Sequence, residues 1–161
     1  MEGNNENWVV QARVHLTELI ASRGAVVDSN RGSILNAYTE ACVEGYVAII
    51  RFMLERGADI NGKCTDGNTP LMDAALMGDT EAVALLLSRG AVVDLPNKNQ
   101  LTALHGACLM AHEGAVRLLL AAGASTTLET KRGCRVMDFA TEPRHAAVLR
   151  LLRQHMHAER Q

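Results

Sequence analysis

Asp66-Gly67-Asn68-Thr69-Pro70-Leu71-Met72-Asp73-Ala74-Ala75 is answered 33 residues later by Asn99-Gln100-Leu101-Thr102-Ala103-Leu104-His105-Gly106-Ala107-Cys108. Thr69 suits a helix start, where its hydroxyl can accept a free amide, and Pro70 fits the first helical position, which needs no donor. The small pairs Ala74-Ala75, Ala107-Cys108 and Ala41-Cys42 allow neighbouring helices to approach closely. Outward from this stretch the same step governs the chain. Gly-Ala recurs at Gly24-Ala25, Gly57-Ala58, Gly90-Ala91 and Gly123-Ala124, each 33 residues after the last. Before each pair, apolar residues are spaced by three and four (Val83, Leu86, Leu87; Val116, Leu119, Leu120), which places them on one helical face. The glycine then closes the last turn in a left-handed conformation that a Cβ would obstruct. A turn-rich segment such as Asp59-Ile60-Asn61-Gly62-Lys63-Cys64-Thr65-Asp66-Gly67 leads to the next helix as a hairpin-like loop.

Composition agrees with a helical reading. The 161 residues fit one domain; 48% are hydrophobic but only 3% aromatic. The core must therefore be built from Leu, Val, Ile, Ala and Met, which favours closely packed helices over a sheet sandwich. Net charge is -2, so no global basic field points to nucleic acid. Its distribution is uneven: residues 1–129 hold 9 Lys+Arg against 15 Asp+Glu, and residues 130–161 hold 7 against 3. A polar outer face on a terminal unit explains this simply; a basic end that meets an acidic patch on a partner is the sharper reading.

These residues, and above all Asp66 to Ala75 with Gly78, Leu85-Leu86-Leu87-Ser88-Arg89-Gly90-Ala91 and Gly57-Ala58-Asp59-Ile60-Asn61, resemble the ankyrin repeat family. The resemblance covers nearly the whole chain. It implies an all-α repeat solenoid, an ankyrin-repeat stack of helix-turn-helix units joined by β-hairpin-like loops. The expected division is an N-terminal capping repeat (1–30), full repeats (31–63, 64–96, 97–129) and a C-terminal capping repeat and tail (130–161). Some positions depart from the family pattern. Asn36-Ala37-Tyr38-Thr39 replaces the usual Thr-Pro-Leu-His, and Gln100 and Ile34 stand where Gly67 and Gly133 keep the turn glycine, so those loop tips are expected to differ in conformation. The last unit lacks the capping Thr, and Pro143 is expected to shorten its first helix.

One repeat cannot bury its apolar face alone, so core leucines are consumed by stacking and function falls to exposed positions. The resemblance places these at the loop tips and at the end of each first helix. The tips are Gly32, Ser33, Leu35; Thr65, Asp66, Asn68; Lys98, Asn99, Leu101; and Lys131, Arg132, Cys134. The helix-end pairs are Val43-Glu44, Leu76-Met77, Leu109-Met110 and Glu142-Pro143. Leu-Met twice at one position is unusual for a solvated face, and an exposed apolar patch commonly marks an interaction surface. Leu76, Met77, Leu109 and Met110 are thus the expected apolar centre of a protein or peptide site, with Asn68 and Leu101 at the tips and Asp66, Asp73 and Lys98 as its rim; packing of the Leu-Met pairs between repeats is the alternative.

Catalytic chemistry has little support. His105 stands at the family's structural His position, and His112 and His145 are 33 apart at the starts of second helices. His155 and His157 with Glu159 alternate in an expected C-terminal tail, too weak a spacing for a metal set. Cys134, beside Lys131, Arg132 and Arg135, is the thiol whose neighbours would best favour reactivity. No Gly-rich phosphate loop occurs. Asn61 and Asp94 fall at the junction position that asparaginyl hydroxylases modify in some relatives, by resemblance only. No cofactor, no metal and no catalytic residue is expected. No run approaches the ~20 apolar residues of a membrane span, and the polar start Met1-Glu2-Gly3-Asn4-Asn5-Glu6-Asn7 shows no secretory signal. The cysteines show no CxxC pairing, so a cytoplasmic or nuclear protein is expected. The expected role is an interaction module (adaptor, inhibitor or targeting scaffold) that binds on its concave face and loop tips, as a monomer rather than an oligomer. The alternatives are an assembly or self-associating subunit and, below that, a regulatory domain of an enzyme.

Overall fold

The computed structural model describes residues 47–158 except Arg56 and Thr65. The capping unit expected over 1–30, the tip Gly32-Ser33-Leu35, Ile34, Asn36, Cys42 and the pair Val43-Glu44 lie outside the described residues. Among the described residues the helices are α1 (Val47–Glu55), α2 (Pro70–Met77), α3 (Thr80–Ser88), α4 (Ala103–Leu109), α5 (Glu113–Ala121) and α6 (Ala146–Ala158), with 3-10 turns at Val136–Phe139 and Pro143–His145 before the last. No strand occurs among the described residues. They form two rows. In one, α2, α4 and the Val136–Phe139 turn pack side by side; in the other, α1, α3, α5 and α6 do. Contacts of α2 with α3 and of α4 with α5 close the stack between the rows. No described helix is long and apolar enough to cross a membrane.

The local signals explain the elements. Thr69 Oγ1 accepts from the Met72 amide at 3.3 Å, and Pro70 occupies the first position of α2. Asp79 caps α3 by accepting from the Ala82 amide at 2.9 Å. After α1, α3 and α5, Gly57, Gly90 and Gly123 adopt φ of +84°, +86° and +83°. This left-handed step lets Ala91 and Ala124 donate back to the carbonyls of Leu86 and Leu119 at 3.0 Å. Between the rows lie the wholly buried Ile50, Leu71, Val83, Leu86, Leu104, Val116, Leu119 and Leu152. Each contributes about 1.5–3 kcal/mol by leaving water. Repeats are also joined through the junctions: Asn61 Oδ1 accepts from the Val92 amide at 2.8 Å, and the Asp94 carboxylate from the Ser125 amide at 3.1 Å.

Three loops precede α2, α4 and the Val136–Phe139 turn, and they share one backbone form. Cys64, Asn97 and Thr130 donate their amides to the carbonyls of Asn68, Leu101 and Cys134 at 2.9–3.0 Å. The Gly67, Gln100 and Gly133 amides return to the first residue's carbonyl at 2.9–3.0 Å. Adjacent loops are linked as well, Lys98 N–H to Asp66 O at 3.3 Å and Lys131 N–H to Asn99 O at 3.0 Å. The expectation that Gln100 would alter its loop is thereby corrected: Gln100 takes φ +61°, in the same region as Gly67 at +82° and Gly133 at +74°. The shared hydrogen bonds hold an L-residue where glycine is favoured. Ala111 does the same at +60°, one repeat after Gly78 at +73°. A left-handed L-residue costs roughly 1–2 kcal/mol, partly offset by the entropy glycine loses on folding. Gln100→Gly and Ala111→Gly are each expected to stabilise the chain by about 0.5–1 kcal/mol in urea titrations. A loss of stability in either would refute the strain.

The first helix of the last unit is reduced to a 3-10 turn, the shortening its residues suggested. Arg135 replaces the capping Thr and donates its amide to Asp138 Oδ2 at 2.7 Å, which opens only the 3-10 turn Val136–Phe139. Pro143 then starts the next 3-10 turn.

Candidate functional site

The loop tips open, and the Leu-Met pairs close, the same row of first helices, and their side chains have different fates. In the loop before α4, Asn97 Oδ1 accepts from the amides of Asn99 and Leu101 at 2.8 and 3.0 Å. Its own amide donates to Asn68 Oδ1 at 2.9 Å, and Asn68 Nδ2 donates to Asp73 Oδ1 at 3.0 Å. Asn68 is therefore half-buried in a chain that ties two repeats together. Asp73 is only 6% exposed. This corrects its expected place on an exposed rim: it stands on the inner side of α2, in the register that Gly106 and Phe139 fill in the next two units. Asp66 and Lys98 are exposed at their tips, and Leu101 is half-buried.

The Leu-Met pairs divide. Met77, Leu109 and Met110 are 53%, 40% and 45% exposed. Leu76 is half-buried because α4 carries Gly106 opposite it; a Cβ there would lie 2.9 Å from Leu76 Cγ. One repeat on, the place of Gly106 is taken by Phe139, and Leu109 stays outside. Both helix ends are held from the following unit. His112 Nε2 donates to Leu76 O at 3.0 Å, and His145 Nε2 to Leu109 O at 3.2 Å. These rings leave the apolar pairs on rigid backbone. The period of these histidines is visible in the sequence; their bracing role is not, and its signal is a His 36 residues after the carbonyl it holds.

Burial shapes the charges. It pushes the Asp73 carboxyl up to about 6; the Asn68 bond opposes this in part and the charge of Asp66 adds to it. The folded chain thus holds this proton more tightly than the unfolded chain does. Stability should fall as pH rises from 3.8 to about 6, then stay at the lower level. Asp73→Asn keeps an oxygen for Asn68 and is expected to stabilise the fold at neutral pH by on the order of 1 kcal/mol. It should also remove the fall in melting temperature that Asp73 contributes between pH 3.8 and about 6; an unchanged slope there would show that Asp73 is not its source.

Burial holds His105 below the usual imidazole range, against the pull of the Leu128 and Cys134 carbonyls and the Asp94 charge. It pushes the Cys108 thiol up to about 12. His105 and Cys108 share α4, yet both are wholly buried, and His105 Nδ1 is engaged by Thr102 at 2.9 Å to its hydroxyl and 3.2 Å to its amide. A neutral thiol out of reach of substrate is no nucleophile. What this face offers is contact: exposed apolar side chains at the helix ends, fixed loop tips, and a cleft of about 270 Å³ between the last two tips, lined by Leu101, Lys131, Arg132, Cys134 and Phe139 among others.

Comparison with known proteins bears on this arrangement. A family model described as ankyrin repeats (3 copies) matches residues 10–97 and 78–160. No curated protein matches the chain.

Proposed function

Because the chain belongs to the ankyrin repeat family, whose members generally mediate protein–protein interaction without catalysis, we propose that it is an adaptor, inhibitor or targeting module. It would bind one protein or peptide on the face built from loop tips and first-helix ends. The observation that supports this is the exposure of Met77, Leu109 and Met110 on backbone braced by His112 and His145. Side chains carried on a pre-formed backbone bind without the cost of ordering the main chain, and Met adapts to the surface it meets. Asp66, Lys98 and Leu101 flank them at the tips. The cysteines Cys64, Cys108 and Cys134 are unbridged, which suits the reducing cytoplasm or nucleus.

The test is the joint change Met77→Lys and Met110→Lys, with partner affinity measured after capture by the unaltered chain. Fold, judged by circular dichroism and melting temperature, should be unchanged, and affinity should drop roughly tenfold or more. Intact folding with unaltered affinity would remove these residues from the site, and unfolding would place them in the core.

A further inference from the structure

The cleft between the last two loop tips differs in chemistry from the Met-bearing helix ends. Its apolar part is Leu101 and Phe139, both half-buried. Phe139 is fixed from behind by His105, ring centroids 5.6 Å apart and planes at 84°. Its rim is Lys131 and Arg132, exposed on a loop whose amides are engaged: Lys131 N–H on Asn99 O, and Arg132 N–H on Thr130 Oγ1 at 3.3 Å. Nearby, Arg135 is held by Glu129 at 2.7 Å and Arg144 by Glu142 at 2.8 Å. Lys131 and Arg132 have no carboxylate within ion-pair distance among the described residues. They lie in the segment 130–161 that holds 7 basic against 3 acidic residues.

A volume of about 270 Å³ falls just below the roughly 300–1,000 Å³ of small-molecule sites. It suits one large side chain. We propose that this cleft receives an acidic peptide segment of the partner: one Leu- or Phe-sized side chain seated on Leu101 and Phe139, with flanking carboxylates on Lys131 and Arg132. The shape selects an apolar anchor and the unneutralised cations select its neighbours, so affinity depends on both. Phe139 contributes the aromatic ring to this lining at the position that Gly106 holds one unit earlier, where Leu76 packs against the glycine.

This deepens the interaction reading and rests on it. The experiment is amide NMR on the intact chain with three short synthetic peptides: a central Leu flanked by Glu, the same Leu flanked by Lys, and a central Ser flanked by Glu. Inorganic phosphate is the fourth probe. The Leu–Glu peptide should shift the amides of Leu101, Lys131, Arg132 and Cys134, and bind roughly tenfold or more tightly than the other two. Lys131→Glu with Arg132→Glu should remove that preference, Lys131→Arg with Arg132→Lys should keep it, and added salt should weaken it. Equal binding of all three peptides, no shifts, or shifts elsewhere would overturn the proposal. The same shifts with phosphate alone would mean a bare anion site, and shifts on concentrating the chain by itself would mean a second copy as occupant; either overturns it. Failure leaves the Met77 and Met110 test untouched, since that test uses neither the cleft's cations nor its floor.

Discussion

Leu104→Ala should lower the free energy of unfolding by about 2–5 kcal/mol. Leu104 is wholly buried in α4, which packs against α2 on one side and the Val136–Phe139 turn on the other. The substitution removes apolar contact and leaves a cavity between two neighbours that relax only partially around it. In a linear stack the weakness is felt at both interfaces of the unit. Leu109→Ala, five residues on at the exposed helix end, should change stability by no more than about 0.5 kcal/mol. Urea unfolding of both variants checks the contrast. A loss under about 1 kcal/mol at Leu104 would show that the middle interface does not hold the stack together.

The second large effect is expected at His105. Its ring is wholly buried, accepts from the Thr102 amide and hydroxyl at Nδ1, and meets Phe139 edge to face. Its Nε2 has no partner at hydrogen-bond geometry among the described residues. Truncation to Ala combines a ring-sized cavity with an amide deprived of its acceptor, so the expected loss is about 3–5 kcal/mol. Asn can place an oxygen where Nδ1 stood, and His105→Asn should recover about 1 kcal/mol of it. Chemical denaturation orders the three proteins; equal losses for Ala and Asn would mean that the bond to Thr102 contributes nothing.

Most of the architecture was legible because periodicity is a property of the sequence itself. The Gly-Ala steps at Gly57, Gly90 and Gly123 fell just past helix ends, and Thr69-Pro70 opened a helix. What escaped was decided by neighbouring units. Gln100 and Ala111 give no local sign of a left-handed backbone; they adopt it because surrounding hydrogen bonds over-determine the turn. The burial of Asp73 follows from its inner position on α2 and from Asn68, which Asn97 of the next loop holds in turn. The unlike fates of Leu76 and Leu109 are written 30 residues downstream of each, in Gly106 and Phe139. A reading that assigns exposure from a residue's own repeat misses all of these, since each surface is finished by the unit stacked upon it.

The main-chain links between consecutive tips, Asp66 to Lys98 and Asn99 to Lys131, have a consequence for how such a face can change over time. Main-chain atoms, with the side chains of Asn68, Asn97 and Thr130, supply the closure of each loop and its spacing from the next, so Asp66, Lys98, Asn99, Lys131 and Arg132 can be exchanged with little penalty to folding. Specificity can therefore drift quickly, one tip at a time, on a frame that does not move, and a new partner can be acquired without the protein first becoming less stable.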